Sequence, residues 1–494
     1  MSLWHIIGCR IASLGRPAIS SPAFLSLLLA SGGDRRITVP RGGNCNQYGA
    51  SPWPRSTLGY AASTANDISL AAFGHLESVV AGWPVGAPLT AEAYRDRLEA
   101  MRARIRTAWD LDPTVDVVFA PSGTDLEFVA LALASTRAGQ PVDNILLGQD
   151  EVGSGCALAA AGRFFAGETA VASTVERGSA LAGLAATRLF ALPIRDAGGR
   201  PVASGVIAAG ISDHVEAARA NGRHVLAHVV HGSKTGLVLP NLPDLDALMA
   251  RHGEHLTVMV DACQARIDGA DIGQYLSRGA IVLLTGSKFI GGPPFSGIAL
   301  VPPALRPRAP LAVGLEQVFR RGEWPLDWTG CDGLPNAANP GLLLRLEAAL
   351  FELERFCHIN GLARQRVIEA FGGAVSSLSD RLGAALVAPM PADGALHETT
   401  LATLDLSSLP GNPDLETTRR WGRILAARGL RVGQPVQWRR MADGRWGGNL
   451  RISLSMPLIG ELAGLDMAVL RHRLDADMGK VADVLEAAQR PVVA

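Results

Sequence analysis

The sequence predicts an α/β protein, with a large domain built on a mostly parallel sheet and a smaller C-terminal α+β domain. Three observations carry this. From about residue 115, short β-branched apolar runs recur, each followed by a glycine-containing turn and a longer alanine- and leucine-rich stretch. The runs are almost continuously apolar, which marks strands buried on both faces rather than on one. Finally, 494 residues that are 48% hydrophobic and 19% charged are enough for more than one compact unit.

Taken in order, residues 1–33 contain no acid, carry Arg10 and Arg16, and run into "AFLSLLLASGG". This has the superficial look of a targeting leader, with an extended or helical N-terminal arm as the alternative reading. The apolar run is too short and interrupted to span a bilayer. Residues 40–85, rich in Gly, Pro, Asn and Ser, read as an irregular lead-in with short helices, so the arm and lead-in are assigned to 1–85. The large domain, 86–341, holds the strand candidates "DVVFAP" (116–121), "NILLG" (144–148), "HVLAHVV" (224–230), "LTVMVDA" (256–262) and "AIVLLTG" (280–286). Between them "DLEFVALALASTRAG", "GVIAAGISDHVEAARANG" and "LPDLDALMARHGEH" have helical spacing, and such alternation implies a parallel sheet. After the loop "WPLDWTGCDGLPNAANPG" (324–341) the long helix "LLLRLEAALFELERF" opens the small domain, 342–494. There "LVAPM", "TTLATLDL" and "NLRISLS" read as strands and "LETTRRWGRILAARG" as a helix.

Formal net charge is zero, so no global field draws the chain to nucleic acid or to an anionic membrane, and neither is expected as a partner. Six scattered cysteines with no C-x-x-C pair suggest neither a disulfide framework nor a metal site. A reducing cytoplasm fits this usage.

Ligands of open parallel sheets bind at the carboxyl edge of the strands, so the residues just after each strand carry the chemistry. After "DVVFA" come Ser122, Gly123 and Thr124, two hydroxyls and a close backbone approach beside a helix start. That is an anion site suited to phosphate, or equally an N-cap. Asp261, at the end of "LTVMVDA" with Gln264 three residues on, must be paired if buried. A protonated ring nitrogen is one partner; a cap or structural salt bridge is the other reading. After "AIVLL" comes Thr285-Gly286-Ser287-Lys288, in a chain with only three lysines, Lys234, Lys288 and Lys480. An amine there can form an imine with an aldehyde, and pyridoxal 5′-phosphate asks for all these groups together.

In family order, "PSGTDLE", "HGSKTGLVLP", "VDACQARI", "TGSKFIGGPPFSG", "NAANPGLLLRLEAALFELE" and "NLRISLS" resemble the class V aminotransferase and cysteine desulfurase group of fold-type I pyridoxal-phosphate-dependent enzymes, over about residues 115–455. The resemblance implies the fold-type I transferase architecture, with its seven-stranded type of sheet, and a homodimer. It implies Lys288 as the Schiff-base lysine, Asp261 at the pyridine nitrogen, Gln264 near the phenolic oxygen, and Thr124 with Ser287 on the phosphate. Lys234, in "HGSKTG", would approach ring and substrate, and Lys480 falls in a helical surface pattern. Arg451, in an R-x-S strand, takes the family's substrate-carboxylate role, a job suited to the guanidinium fork.

Two departures qualify the activity. Where the family stacks a histidine or aromatic on the ring, this chain has "GQDEVGSG", leaving Val152 or Gly153 to face it, and Ser233 or His231 stands nearest to the family's phenolic-oxygen asparagine. No cysteine lies between 400 and 451, where a desulfurase keeps its nucleophile. The expected activity is transamination between an amino acid and a keto acid, with Lys288 and Asp261 catalytic. The rival is a lyase, decarboxylating or carbon–carbon bond-forming enzyme on an amino acid. Trp324, Trp328, Trp438 and Trp446 are candidates for pocket walls or dimer contacts.

Overall fold

Alternate residues of the central strands feed two different cores, and this sorting organises the molecule. The computed structural model describes residues 22–83, 88–149, 151–153, 155–387 and 400–490. In chain order the strands are β1 (Leu58–Tyr60), β2 (Asp116–Ala120), β3 (Val142–Leu147), β4 (Arg188–Leu192), β5 (His224–His231), β6 (Val238–Leu239), β7 (Leu256–Asp261), β8 (Ile281–Thr285), β9 (Gly297–Val301), β10 (Ala385–Leu386), β11 (Leu401–Asp405), β12 (Leu430–Val432), β13 (Gln437–Arg440) and β14 (Trp446–Ser453).

The main sheet runs β2-β9-β8-β7-β5-β3-β4, with β6 paired to β5. Neighbours from β8 through β7, β5 and β3 to β4 are parallel, while β9 runs antiparallel to β2 and β8. The α/β class and mostly parallel sheet expected from the sequence are therefore what is observed. Along β8, Val282 and Leu284 enter one core while Ile281 and Leu283 enter the other, as the two-residue period of a strand requires. Each such side chain contributes about 1.5–3 kcal/mol on burial, so a charge at Val282 would oppose the sheet at its centre.

Helices cover both faces. Those at Ala91–Ala108, Ser204–Ala220, Leu242–His252, Gly269–Ser277 and Pro340–Cys357 pack on one side, and Leu126–Ala138 on the other. The second sheet, β10-β11-β14-β13, is antiparallel and packs under the helices Gly361–Leu382, Leu415–Ala427 and Met467–Gln489, sharing the first core through Leu404, Leu450 and Ile452.

Besides the two- and three-residue strands β1, β6 and β12, three longer strands escaped the sequence pattern. β4 is half exposed and so lacks a continuous apolar run. β9, "GIALV", follows the Gly-Pro turn directly and merges with it in sequence. β13 is a polar edge strand, "QWRR". Most of "LVAPM" lies outside the described residues, as do residues 1–21. The stretch "AFLSLLLA" includes a helix, Pro22–Leu29, whose Phe24, Leu25 and Leu28 pack on Phe73, Leu76 and Leu344. Among the described residues no helix is long and apolar enough to cross a membrane. The lead-in is tied to the second sheet: β1 pairs in parallel with β12, and Ala61 bridges Ser453. This carries residues 63–66 across the carboxyl edge of the main sheet.

Candidate active site

The carboxyl ends of β2, β3, β5, β7 and β8 open into one cleft of about 1050 Å³, continuous with solvent. Ser122, Gly123, Thr124, Ser233, Asp261, Gln264, Thr285, Ser287 and Lys288 all line it. Residues spread over more than 160 positions thus meet at the edge where parallel sheets bind ligands.

Lys288 follows β8, and its amine donates to Thr64 O from the lead-in. Asn66 Nδ2 fixes the backbone beneath it, donating to Ser287 O at 3.1 Å and Lys288 O at 2.7 Å. Burial, helped by the nearby positive charge of Arg451, lowers the amine to about 8. A substantial fraction is therefore an unprotonated nucleophile near neutral pH. Asp261 ends β7 and accepts from the Cys263 N–H at 3.0 Å. Gln264 is held between Ser63 O, to which it donates at 3.2 Å, and Arg266, which donates to Gln264 Oε1 at 3.0 Å.

The Ser122–Thr124 turn lies directly over the end of β8. A Cβ on Gly123 would sit 2.6 Å from Thr285 Cγ2, so the approach is open only to glycine. Thr285 donates to Cys263 O at 2.8 Å and Ser287 donates to Thr285 Oγ1 at 3.2 Å, so these hydroxyls are pre-positioned on one another. Ser122 lines the cleft, and its hydroxyl donates to Asp125 at 2.6 Å.

Arg451 lies within β14 opposite Thr403 rather than at its start, and it does not line the cleft. Its guanidinium donates to Gln434 O at 2.6 Å, with longer contacts to Ser63 O, Lys234 O and Thr64 Oγ1, and burial lowers it to about 10. It touches the cleft through the residues that line it. Lys234 does line the cleft and donates to Val152 O at 2.5 Å. Val152 and Gly153 form the wall where an aromatic was missed in the sequence. Lys480 is mostly exposed, 3.6 Å from Asp477. Trp324 is buried against Phe319 and Trp328 against Trp324, neither lining the cleft, and Trp438 stacks on Arg195.

Several lining residues gave no usable sequence signal. Arg36, Tyr48, Ser63 and Thr64 come from the lead-in, far from the strand ends in sequence. Glu127 sits in the first turn of the Leu126–Ala138 helix, where an acid reads as a helix-dipole partner. It is instead buried against the cleft, its Oε2 without a hydrogen-bond partner and 3.4 Å from His228 Nε2. Burial and the neighbouring Asp261 push Glu127 well above the carboxylate range, and burial drops His228 to about 3. Burial thus disfavours the charged form of both. Glu151 is the opposite case: burial opposes its charge, but Arg195 at 2.5 Å and the hydroxyls of Ser233 and Thr235 hold it below the ordinary range.

No protein-family model matches the chain, and no curated protein does. Solved structures do. The cysteine desulfurase CsdA from Escherichia coli superposes with a TM-score of 0.52 at 16% identity, over 87% of this chain and 94% of that one. A NifS-like protein gives 0.51 at 15% identity, over 87% of this chain and all of the other. At such identity the likeness establishes the fold, which is the fold-type I arrangement expected from the sequence.

Proposed function

We propose that the protein is a pyridoxal-phosphate-dependent enzyme acting on an amino acid, an aminotransferase of the class V type that works as a homodimer. One observation carries the reading: a lysine with a lowered pKa, an aspartate ending a buried strand and a hydroxyl-lined glycine turn converge on one cleft. The residues fit the cofactor. The Gly123 cradle takes no larger side chain, and Ser63 Oγ and Glu127 Oε2 are buried on the cleft without partners.

When bound, the cofactor supplies an aldehyde for attachment and a ring that takes up the electron pair left on the substrate's α-carbon. Lys288 would hold it covalently, Asp261 would keep a proton on the ring nitrogen, and Ser122, Gly123, Thr124, Thr285 and Ser287 would hold its phosphate. Gln264 and Ser233 would flank the phenolic oxygen. The Lys288 amine would also serve as the base for the substrate's α-proton, a task that its pKa near 8 suits at physiological pH. Arg451 would meet the substrate carboxylate after giving up its bonds to Gln434 O.

The cleft wall at Val152 and Gly153, which offers no aromatic face, supports a second reading: a lyase or carbon–carbon bond-forming enzyme on the same cofactor. Cysteine desulfuration has less support, because burial raises the thiols of the cleft cysteines, Cys156 and Cys263, and keeps them protonated. An amino acid panel separates the readings. Keto acid formed only when a second keto acid is supplied as acceptor supports transamination. Ammonia, carbon dioxide or a β-product released without an acceptor sinks it in favour of the lyase. After borohydride reduction the cofactor label maps to Lys288 and is lost in Lys288→Ala but kept in Lys234→Ala.

A further inference from the structure

One cation facing the cleft belongs to no strand end. Arg36 follows the buried Asp34 in a short turn of the lead-in, and its guanidinium is fixed on every side. Nε donates to both Asp34 oxygens, at 2.9 and 3.0 Å, and Nη2 donates to Oδ2 at 2.7 Å. It also lies against two aromatic rings, with the Phe165 centroid at 4.6 Å and the Phe295 centroid at 4.9 Å. Phe295 belongs to the same glycine-proline turn as Lys288 and adopts φ +72°, a left-handed conformation that costs a non-glycine residue about 1–2 kcal/mol. Buried Arg345 enforces it, donating to Phe295 O at 2.8 Å and, in the lead-in, to Leu29 O at 3.0 Å and Ser31 O at 2.5 Å. One side chain thus pins the lysine turn and the Arg36 segment together.

What remains of Arg36 points at the Ser122–Thr124 turn. Nη1 lies 3.5 Å from Thr124 Oγ1 and 3.4 Å from Tyr48 Oη, and Nη2 lies 3.5 Å from Ser122 Oγ. All three contacts are at the long limit for hydrogen bonds, so each donor can turn to an anion oxygen seated between them at little cost. The nearby acids do not oppose this. Asp34 is spent on the guanidinium, and burial brings Asp125, which holds Ser122, up to about 7.

We infer that Arg36 is the charged ligand of the cofactor's phosphate, so that the lead-in completes the binding site and is more than an arm. This rests on the pyridoxal-phosphate reading above. The two aromatic contacts and the Asp34 fork set the guanidinium in advance, which makes the contact selective for a tetrahedral dianion over an uncharged group.

The test compares pyridoxal 5′-phosphate with unphosphorylated pyridoxal, titrated into the full-length apo-protein by absorbance. In Arg36→Gln the preference for the phosphorylated form should fall by about 10- to 100-fold, the worth of a charge-assisted hydrogen bond, while pyridoxal affinity is kept. Arg36→Lys, which keeps the charge but not the fork, should fall in between, and thermal melting of both apo-variants checks that they fold. An unchanged ratio of the two affinities in both variants, whether binding is retained or weakened in parallel, overturns the inference. A wild-type protein that binds neither compound would instead bring down the cofactor reading on which it stands.

Discussion

The lowered pKa of Lys288 has a kinetic consequence that can be measured without knowing the substrate. An amine at about 8 is roughly one quarter unprotonated at pH 7.5, whereas an ordinary lysine amine at 10.5 is about one thousandth unprotonated. The nucleophilic fraction is therefore raised roughly 200-fold. Burial is the main cause and the charge of Arg451 the second. Apo-protein mixed with pyridoxal phosphate, quenched with borohydride at timed intervals and mapped by peptide mass gives the capture rate at Lys288. Between pH 6.5 and 10 that rate should climb through a midpoint near 8 and then level off. Arg451→Gln, which removes the facing cation, should move the midpoint upward. A wild-type midpoint near 10, or capture at Lys234 or Lys480 instead, would refute the reasoning.

Three further outcomes follow from the packing. Gly123→Ala forces a Cβ to within 2.6 Å of Thr285 Cγ2, so it should cost about 1–3 kcal/mol in urea unfolding and weaken cofactor binding; an unchanged midpoint contradicts the cradle. Asn66→Ala strips the carbonyls of Ser287 and Lys288 of their donor, at about 1–3 kcal/mol, and should also slow capture at Lys288. Glu127 has a raised folded-state pKa, so the folded protein keeps a proton that the unfolded chain releases above about pH 4.5. Its contribution to stability therefore falls as pH rises, and Glu127→Gln, which never ionises, should be more stabilised relative to wild type at pH 8 than at pH 4; melting curves at the two values decide.

How much of this was legible in the sequence follows from the range of the forces involved. The strands β2, β3, β5, β7 and β8 were visible because burial on both faces demands apolar runs, and a run is a local property. The residues after them could be nominated because a parallel sheet presents its carboxyl edge to ligands whatever the loops contain. Ser122, Asp261 and Lys288, which line the cleft, were therefore nominated by position. β4 and β13 were hidden because a partly exposed edge strand has no such run, and β9 because its run merges with the turn before it.

The lead-in shows the other limit. Nothing in "GGDRRITVP" distinguishes Arg36 from the arginines around it, since its role comes from Phe165, Phe295, Asp34 and the turn at Ser122, brought together only when Arg345 and the β1–β12 pairing fold the segment over the cleft. Glu127 was likewise unreadable, because an exposed first-turn acid and one buried against a cleft are spelled the same way. For Arg451 the sequence offered a substrate clamp, and the structure adds that its guanidinium rests on backbone carbonyls beside the cleft. The sequence alone determined the sheet, its functional edge and the lysine upon it, because periodicity and strand ends are encoded locally. The tertiary structure decided which charges face that edge and which are neutralised, because burial and proximity exist only once distant segments meet.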